Sequence, residues 1–525
     1  SQGRLFVAFN TIQGDEAGRL SVYDPSSDAF RDITPGPRAS AWSIAIDPTK
    51  PDRMVAAGDS VADGKIFVTV DAGKKWQELD ISVESGQIPW LARTDLDKYM
   101  SIGRLVFDPK QPGRLWFAEG MGVWRTDDLA TDTPPSAITW HLDARGIEEL
   151  VVADVVVPPG QSPITVAADR QGFRSTSLTD FPSYTLVDGR FAGGTDLDYS
   201  GRSPKNLVWI GAEYQIYWND DRVARAATSS DGGATWTELP NLKKDKFGGN
   251  VAVSATDPNN IVWLPSYFVN QWEYLDKGKG LYTTTNGGRN WNHLTVDGKN
   301  NFHRLMWWLG RQALASDKVD GGVFYLQDDT SDFYVSVDGG NSWKKAANSP
   351  PCTEATACMV FGQLVPSPTK AGEVWASVGD GGLYRTRDRG ATAWEQLPGV
   401  EAVHNFGLGA PLKSGGPPAG YLYGKANGDP QLGIWRSGDD GRTWELLGRA
   451  PLAVTLELAD VPDVYSRSLI GWSTLPEKLQ RDHRDLTLPD VLRVQHMLGQ
   501  KAHESGLARR QMMQGVVVDP AIVDS

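Results

Sequence analysis

The sequence predicts an all-β fold built from repeated hairpins, and three observations lead to this prediction. First, the motif Ser/Thr-x-Asp-x-Gly-x-x-Trp recurs at intervals of about 50–57 residues, the length of one four-stranded propeller blade. Second, short apolar strands alternate with Asp-Pro and glycine turns at even spacing. Third, the 525 residues include 20 Trp and 56 Gly, which suit hairpins covered by aromatic side chains better than they suit helices.

The motif is an Asp-box, and each of its residue types favours a tight hairpin. The Ser/Thr and Asp side chains can bond the turn backbone, the glycine adopts positive φ, and the Trp folds back over the hairpin. We therefore predict that the boxes shape the fold and take no part in catalysis. Clear copies occupy residues 69–76, 229–236, 284–291, 336–343, 386–394 and 437–444, and worn copies lie near 126–128 and 174–177.

About ten such units predict an Asp-box β-propeller fold with a helical C-terminal tail, and the chain is expected to divide into three parts. Residues 1–147 are expected to form about three blades of a partial first propeller, residues 148–474 a seven-bladed propeller, and residues 475–525 the tail. The tail prediction depends on apolar residues at helical spacing between Leu486 and Met513. One very large ring of ten blades is the alternative arrangement.

The composition excludes several classes of partner. A net charge of −13 and a pI near 5.1 argue against nucleic acid or an anionic membrane. No apolar run is long enough to span a bilayer. Nothing in the sequence indicates a metal or an organic cofactor. The sequence starts at Ser1 without a visible signal peptide, which indicates a processed, trimmed or partial chain.

The chain has two cysteines, Cys352 and Cys358, close together in a loop that offers no convincing further metal ligands. Their spacing predicts a small disulfide loop, and two inert thiols are the alternative. A disulfide would favour an oxidising, extracellular compartment.

One segment is more specific than the boxes. Gly146-Ile147-Glu148-Glu149 leads through an apolar strand to Pro158-Pro159, and then to Asp169-Arg170-Gln171-Gly172-Phe173. This segment resembles glycoside hydrolase family 74, the xyloglucanases, where Gly-Ile-Glu-Glu runs to Pro-Pro and then to Gly-Asp-Ile-Gly-Gly-Phe. Further similar stretches follow in the same order across roughly residues 1–472.

The resemblance implies two tandem seven-bladed propellers and hydrolysis of β-1,4-glucan bonds in xyloglucan with inversion, in a cleft between the propellers. One Asp from each propeller faces the scissile bond, and Asp169 matches the general acid. Such an acid needs a raised pKa, and an inverting pair of carboxyls stands about 6.5–9.5 Å apart. The family's base lies in the first blade, which this chain is expected to lack, so no base is assigned.

Besides the missing base, two departures from the family pattern concern Asp169. Arg170 and Gln171 replace Ile-Gly, and an adjacent Arg lowers the pKa of a carboxyl, the wrong direction for an acid. Arg174 also begins a stretch without the acidic residues common there. An ordinary turn aspartate is therefore the alternative role for Asp169. Ala92-Arg93-Thr94-Asp95 mimics the family's base motif without its glycine pair, so Asp95 or Asp97 as base is a remote alternative.

Aromatic residues outside the boxes are the candidate platforms for sugar rings, because polysaccharide clefts stack apolar sugar faces on such side chains. Packing within the core or loops is the alternative for each of them. The candidates are Trp90, Tyr217, Trp218, Tyr267, Trp272, Trp307 and Trp308.

The sequence thus predicts a secreted glycoside hydrolase that acts on xyloglucan or a related β-glucan polysaccharide. A non-catalytic propeller that binds glycan or protein is the alternative. A sialidase is disfavoured because no Arg-Ile-Pro type entry motif is found. A sorting-receptor ring is disfavoured because such receptors carry a cysteine-rich module, whereas this chain has two cysteines.

Overall fold

The structure is a computed structural model, and its described part covers most of residues 5–449 together with 512–518. The chain divides into two compact units, one formed by Ser1–Glu149 and Leu456–Ser525, the other by Leu150–Thr455. The gaps within residues 5–518 are 11–18, 37–40, 59–64, 86–87, 92–101, 103, 120–121, 144, 146–149, 151, 168–169, 190–192, 213–223, 244–246, 268, 271–272, 275–279, 297–303, 306–311, 329–330, 353–361 and 450–511.

The first unit contains two sheets of strands. The first sheet contains the antiparallel strands β1 (Leu5–Asn10), β2 (Arg19–Asp24) and β3 (Ala29–Asp32). The second contains two successive four-stranded groups, β4 (Ala41–Ile46), β5 (Met54–Gly58), β6 (Ile66–Thr69) and β7 (Gln77–Glu84), then β8 (Arg104–Phe107), β9 (Leu115–Glu119), β10 (Gly122–Thr126) and β11 (Ala137–Leu142). A parallel pairing of β7 with β11 joins these two groups into one sheet of eight strands.

The second unit contains six successive sheets of three or more strands and one small two-stranded sheet within the described residues, and the predicted count of seven blades remains a prediction. Each full sheet follows the order first, second, third and fourth strand with antiparallel pairing, and the third sheet adds β25, which pairs with β20 in parallel. The first three are β12 (Val152–Val156), β13 (Ile164–Ala167) and β14 (Phe173–Arg174); β15 (Gly193–Tyr199), β16 (Leu207–Ala212), β17 (Ala224–Ser229) and β18 (Thr237–Glu238); and β19 (Phe247–Val253), β20 (Ile261–Tyr267), the small hairpin β21 (Val269–Asn270) and β22 (Glu273–Tyr274), β23 (Leu281–Thr284), β24 (Asn292–Leu294) and β25 (Arg304–Leu305).

The last three sheets repeat the same four-stranded pattern. They are β26 (Leu314–Ser316), β27 (Phe324–Gln327), β28 (Phe333–Ser336) and β29 (Lys344–Lys345); β30 (Gln363–Pro366), β31 (Val374–Ser377), β32 (Leu383–Thr386) and β33 (Glu395–Gln396); and β34 (Val400–Gly409), β35 (Ala419–Ala426), β36 (Gly433–Ser437) and β37 (Glu445–Gly448). A short 3-10 helix, Leu186–Gly189, follows β14.

The prediction of a helical tail is wrong for its described part. Met512–Val518, here β38, is a strand that pairs antiparallel with β1 and completes the first sheet of the first unit. The physical reason is the run of three valines at its end, because β-branched residues favour strands, and β1 offers it an unpaired edge. Residues 475–511 lie outside the described part of the chain.

The core of the second unit lies between neighbouring sheets. Inner strands such as β23, β27 and β31 are buried at every position. This pattern arises because a sheet between the first and the last packs against a neighbouring sheet on each of its faces, so apolar residues are needed on both sides of the strand. One cluster, for example, joins Val262 and Leu264 of β20 to Phe324 and Leu326 of β27.

The Asp-boxes form the hairpin turns that the motif predicts. In the box after β17, the Ser229 hydroxyl donates to Asp231 (2.8 Å), and the Gly233 N–H donates to the Ser229 oxygen (2.9 Å). The Thr235 N–H and hydroxyl both donate to the Asp231 carboxylate, and Trp236 Nε1 donates to the Gly233 carbonyl. The same Ser/Thr to Asp/Asn bond is present in the pairs Thr69–Asp71, Thr284–Asn286, Ser336–Asp338, Thr386–Asp388 and Ser437–Asp439.

These bonds predict a stability that depends on pH. Burial raises the pKa of Asp231, but the bonds from Thr235, Ser229 and Ala234 outweigh it and lower the pKa to about 2. Because an unfolded Asp has a pKa of about 3.9, the ionised carboxylate stabilises the fold above that pH, and this is lost as the pH falls towards 2.

We expect Asp231→Asn to lessen this loss, because Asn keeps the acceptor but does not titrate. Between pH 5 and pH 2.5 its Tm should fall by roughly 2 °C less than the wild-type Tm, as followed by circular dichroism. Asn286→Asp, in the box that carries Asn, is the reverse control and should make the fall steeper. Equal falls in all three proteins would contradict the prediction.

The disulfide prediction is confirmed. Cys352 is disulfide-bonded, and the only other cysteine of the chain is Cys358, which lies outside the described residues. Among the described residues, none forms a helix long and apolar enough to cross a membrane.

Candidate functional site

The strand order of the second unit defines two ends of its sheets. Consecutive strands are antiparallel, so the turn from the first to the second strand and the Asp-box turn from the third to the fourth leave the same end. The connections from the second to the third strand, and from each sheet to the next, leave the opposite end. We call this opposite end the candidate face.

The residues predicted from the sequence in the second unit all fall on connections of the candidate face. Asp169 lies between β13 and β14, and Tyr217 and Trp218 lie between β16 and β17. The path from β20 to β23 includes Tyr267 and Trp272. Trp307 and Trp308 belong to the connection from β24 to β26. The repeat pattern therefore predicts that these residues lie at one end of the sheets.

Most of these side chains lie outside the described residues, so the site is described through the neighbouring residues that hold its segments in place. This applies to Asp169, Tyr217, Trp218, Trp272, Trp307 and Trp308, and also to Asp95 and Asp97. For Tyr267 the backbone alone is described: it is the last residue of β20 and pairs with Leu305 of β25 in parallel. β20 and β25 thus both run towards the candidate face.

Trp90 is the predicted platform whose side chain is described, and it is 5% exposed. It lies in the first unit, on the connection from β7 to β8. Little of its ring surface is open to a sugar, so burial supports the packing alternative for this residue.

The two residues after Asp169 are held by their carbonyl groups. The Gly194 N–H of β15 donates to the Arg170 carbonyl at 3.3 Å. Trp209 Nε1 on β16 donates to the Gln171 carbonyl at 2.9 Å. The second sheet thereby fixes the chain on the C-terminal side of Asp169.

Gly172, the next residue of the motif, makes the tightest approach. Its φ is +119°, and a Cβ at this position would stand 2.1 Å from the Thr165 carbonyl oxygen. Its own carbonyl accepts from the Leu186 N–H at 2.9 Å. Glycine is required here because any residue with a Cβ would clash in this space and would be strained in this backbone conformation.

The Gln171 side chain is an anomaly that sequence reasoning did not foresee. It is fully buried, and among the described residues neither its amide nitrogen nor its oxygen has a hydrogen-bond partner. A buried amide without hydrogen-bond partners costs folding free energy. The Gln171 side chain, beside the motif, lacks a donor for its oxygen and an acceptor for its nitrogen among the described residues. The neighbouring Arg170 is also buried, at 3% exposure.

Sequence reasoning also missed a buried polar cluster on the first strands of the sheets. Asp196 on β15, Asn250 on β19 and Gln312 before β26 bond to one another, and the first two are buried. The sequence signal that could have revealed this cluster is a polar residue at each of these positions, where neighbouring strands carry apolar residues.

A cavity of about 260 Å³ lies at the Asp-box end of the second and third sheets, opposite the candidate face. Its lining includes Asn206, Thr228, Thr237, Leu239 and Asn259 and none of the predicted site residues. It is therefore a separate feature. Among the described residues, no cluster of three or more His, Cys, Asp or Glu side chains is arranged to hold a metal ion.

For the predicted site residues, the expected chemistry is acid-assisted cleavage of a glycosidic bond, in which a carboxyl protonates the leaving oxygen while sugar rings stack on aromatic side chains. These residues belong to segments at or between the ends of strands, where binding residues are common.

The comparisons with known proteins agree with this class of fold. No protein-family model matches the chain. The GH74 xyloglucanase from Xanthomonas campestris superposes with a TM-score of 0.66 at 26% identity, covering 85% of this chain and 61% of that one. The GH74 enzyme from Niastella koreensis gives a TM-score of 0.63 at 23% identity, covering 85% and 60%, which shows the likeness of fold. The fold is all-β, like that of these propeller enzymes.

Curated relatives are named xyloglucanases. Xyloglucanase Xgh74A from Acetivibrio thermocellus is 26% identical over an alignment of 509 residues that covers 90% of this chain and 56% of the relative. The oligoxyloglucan-reducing end-specific xyloglucanase from Emericella nidulans is 24% identical over an alignment of 518 residues that covers 84% of this chain and 61% of the relative. The chain spans less than two thirds of the length of these relatives. The resemblance to glycoside hydrolase family 74 seen in the sequence is confirmed.

Proposed function

We propose that this protein is a glycoside hydrolase that cleaves the β-1,4-glucan backbone of xyloglucan or a related polysaccharide. The observation that carries the proposal is the similarity to named xyloglucanases over 84–90% of the chain. The common placement of Asp169 and the candidate aromatics on connections of one face supports it.

Asp169 is proposed as the general acid. It gives its proton to the leaving oxygen as the bond to the sugar breaks, while a water activated by a carboxylate base attacks the opposite face, with inversion. No residue of this chain is assigned as that base. Seven blades in the second unit, with Asp169 in the first of them, remain the proposed architecture.

An acid of this kind must hold its proton near the working pH, which requires a low-polarity surrounding or a nearby negative charge. The burial of Arg170 and Gln171 directly after Asp169 supports a low-polarity surrounding. The positive charge of Arg170 acts in the other direction, so the pH optimum is expected to be acidic.

The aromatic residues are proposed to bind the glucan backbone, and the polysaccharide is the proposed partner. A polymer of this size is met outside the cell, and the disulfide at Cys352 fits an oxidising compartment. We therefore propose that the protein acts extracellularly.

The proposed function is tested by incubating the protein with xyloglucan and following the release of reducing ends over time. Release that rises with enzyme concentration supports a hydrolase. A folded protein that is retained by the polysaccharide without releasing reducing ends would instead be a binding propeller, and the hydrolase proposal would fail.

We expect Trp218→Ala and Trp272→Ala each to weaken binding of a xyloglucan oligosaccharide by about tenfold, the equivalent of about 1.4 kcal/mol. Isothermal titration calorimetry measures this effect. Val337→Ala is the control, because Val337 is 66% exposed and lies in the Asp-box turn after β28, at the end of the sheets opposite the candidate face. A similar loss in the control would show that the connections have no special part in binding.

A further inference from the structure

Side chains at one level link the first strands of three successive sheets in the second unit. Asp196 on β15 is 2% exposed, and its carboxylate accepts from the Val251 N–H (2.7 Å) and from Asn250 Nδ2 (3.2 Å), both on β19. It also accepts from Gln312 Nε2 (2.6 Å), two residues before β26. One buried carboxylate thus joins three sheets.

Asn250 closes this network. Its amide nitrogen donates to Gln312 Oε1 at 2.8 Å, and its oxygen accepts from the Ala313 N–H at 3.2 Å. Asn250 is fully buried. Because buried polar groups are costly when unpaired, this closed set of bonds favours one arrangement of the three strands over slightly shifted ones.

Both ends of the network meet segments that carry the proposed site. Gly194, two residues before Asp196 on β15, donates to the carbonyl of Arg170, the residue after Asp169. Gln312 is the first described residue after the segment that carries Trp307 and Trp308.

We propose that Asp196, Asn250 and Gln312 are positioning residues, which hold the Arg170–Gly172 segment after Asp169 at a fixed distance from the start of β26. This inference rests on the proposed function. Displacements on the order of 1 Å between a reacting group and its bound substrate can lower rates by about 10²-fold, so the spacing of the two anchors matters for binding and for catalysis.

The chain offers a matched control for a merely structural role. Gln363 starts β30 and lies beside Gln312 in an isolated backbone bridge. Its side chain links two sheets in the same way, because Oε1 accepts from the Phe406 N–H (2.7 Å) and Nε2 donates to Asn405 (3.4 Å). These two side-chain bonds go to β34 and not to Asp196 or Asn250.

The first test compares Gln312→Met with Gln363→Met, which remove the amide and keep the length of the side chain. Calorimetry measures binding of a xyloglucan oligosaccharide, with Tm measured alongside. We expect both variants to lower Tm, but only Gln312→Met to weaken binding, by about tenfold. Equal changes in affinity, or none in either variant, would overturn the positioning role.

The second test exchanges the charge within the pair. Gln312→Glu places a second carboxylate against Asp196 and is expected to weaken binding by more than about tenfold. Adding Asp196→Asn restores one carboxylate and one amide, so the double variant should bind within about threefold of wild type. Failure of this rescue in a folded double variant would contradict the proposal. A wild-type protein that neither binds nor cleaves xyloglucan would overturn the proposed function itself.

Discussion

Replacing Asp169 by Asn is expected to lower the rate of xyloglucan hydrolysis by about 10²–10⁴-fold, the usual contribution of a general acid. Asn has nearly the same shape but cannot give a proton to the leaving oxygen. Binding of the oligosaccharide should change little, so the loss appears in kcat rather than in KM. Reducing-end assays under saturating substrate measure it.

The control for this variant is Asp180→Asn. Asp180 is an exposed aspartate that accepts from the Ser177 hydroxyl at 2.8 Å in the segment after β14. Its replacement should leave the rate within about twofold, as surface substitutions usually have small effects. If Asp169→Asn hydrolysed xyloglucan as fast as this control, Asp169 would be the turn aspartate of the alternative interpretation.

Gly172→Ala is expected to destabilise the second unit by about 3–5 kcal/mol, near the upper end for a single substitution. The added Cβ meets the Thr165 carbonyl oxygen at 2.1 Å and Val166 Cα at 2.9 Å, and both of these are backbone atoms. A φ of +119° adds strain for any residue with a side chain. Urea unfolding followed by tryptophan fluorescence measures the change.

Gly160→Ala separates the clash from the backbone strain. Gly160 lies in the same sheet region, its φ is +70°, and a Cβ there would meet nothing within 4 Å. We expect a loss of about 1 kcal/mol, from the left-handed conformation alone. Similar losses in the two variants would mean that the backbone around Thr165 relaxes and that the close approach is unimportant.

Local sequence features predicted the repeating part of the fold. The box at Ser229–Trp236 forms by hydrogen bonds between residues at most four apart, so its sequence contains nearly all the information that the turn needs. Features of this kind can be recognised in one sequence without any knowledge of distant contacts.

Features that depend on distant residues were not predicted. The contact of Gln312 with Asp196 crosses 116 positions of the sequence, and no local pattern reports it. The exposure of Trp90 is also set by the residues packed around it, so its position outside an Asp-box did not reveal that it is buried. The tail that contains β38 was predicted to be helical from the spacing of its apolar residues, and the strand with which β38 pairs lies at the other end of the chain, where no local pattern reports it.

The pairing of β38 with β1 has a consequence for the order in which the protein folds during synthesis. Leu5 and Val518 are partners although roughly 500 residues of chain separate them, and such a closure costs considerable entropy. The ribosome makes β1 long before it makes β38, so until then β1 has one edge without its native partner. An open edge of this kind can pair with strands of other chains, and its late closure makes nascent and truncated chains the species most prone to aggregate.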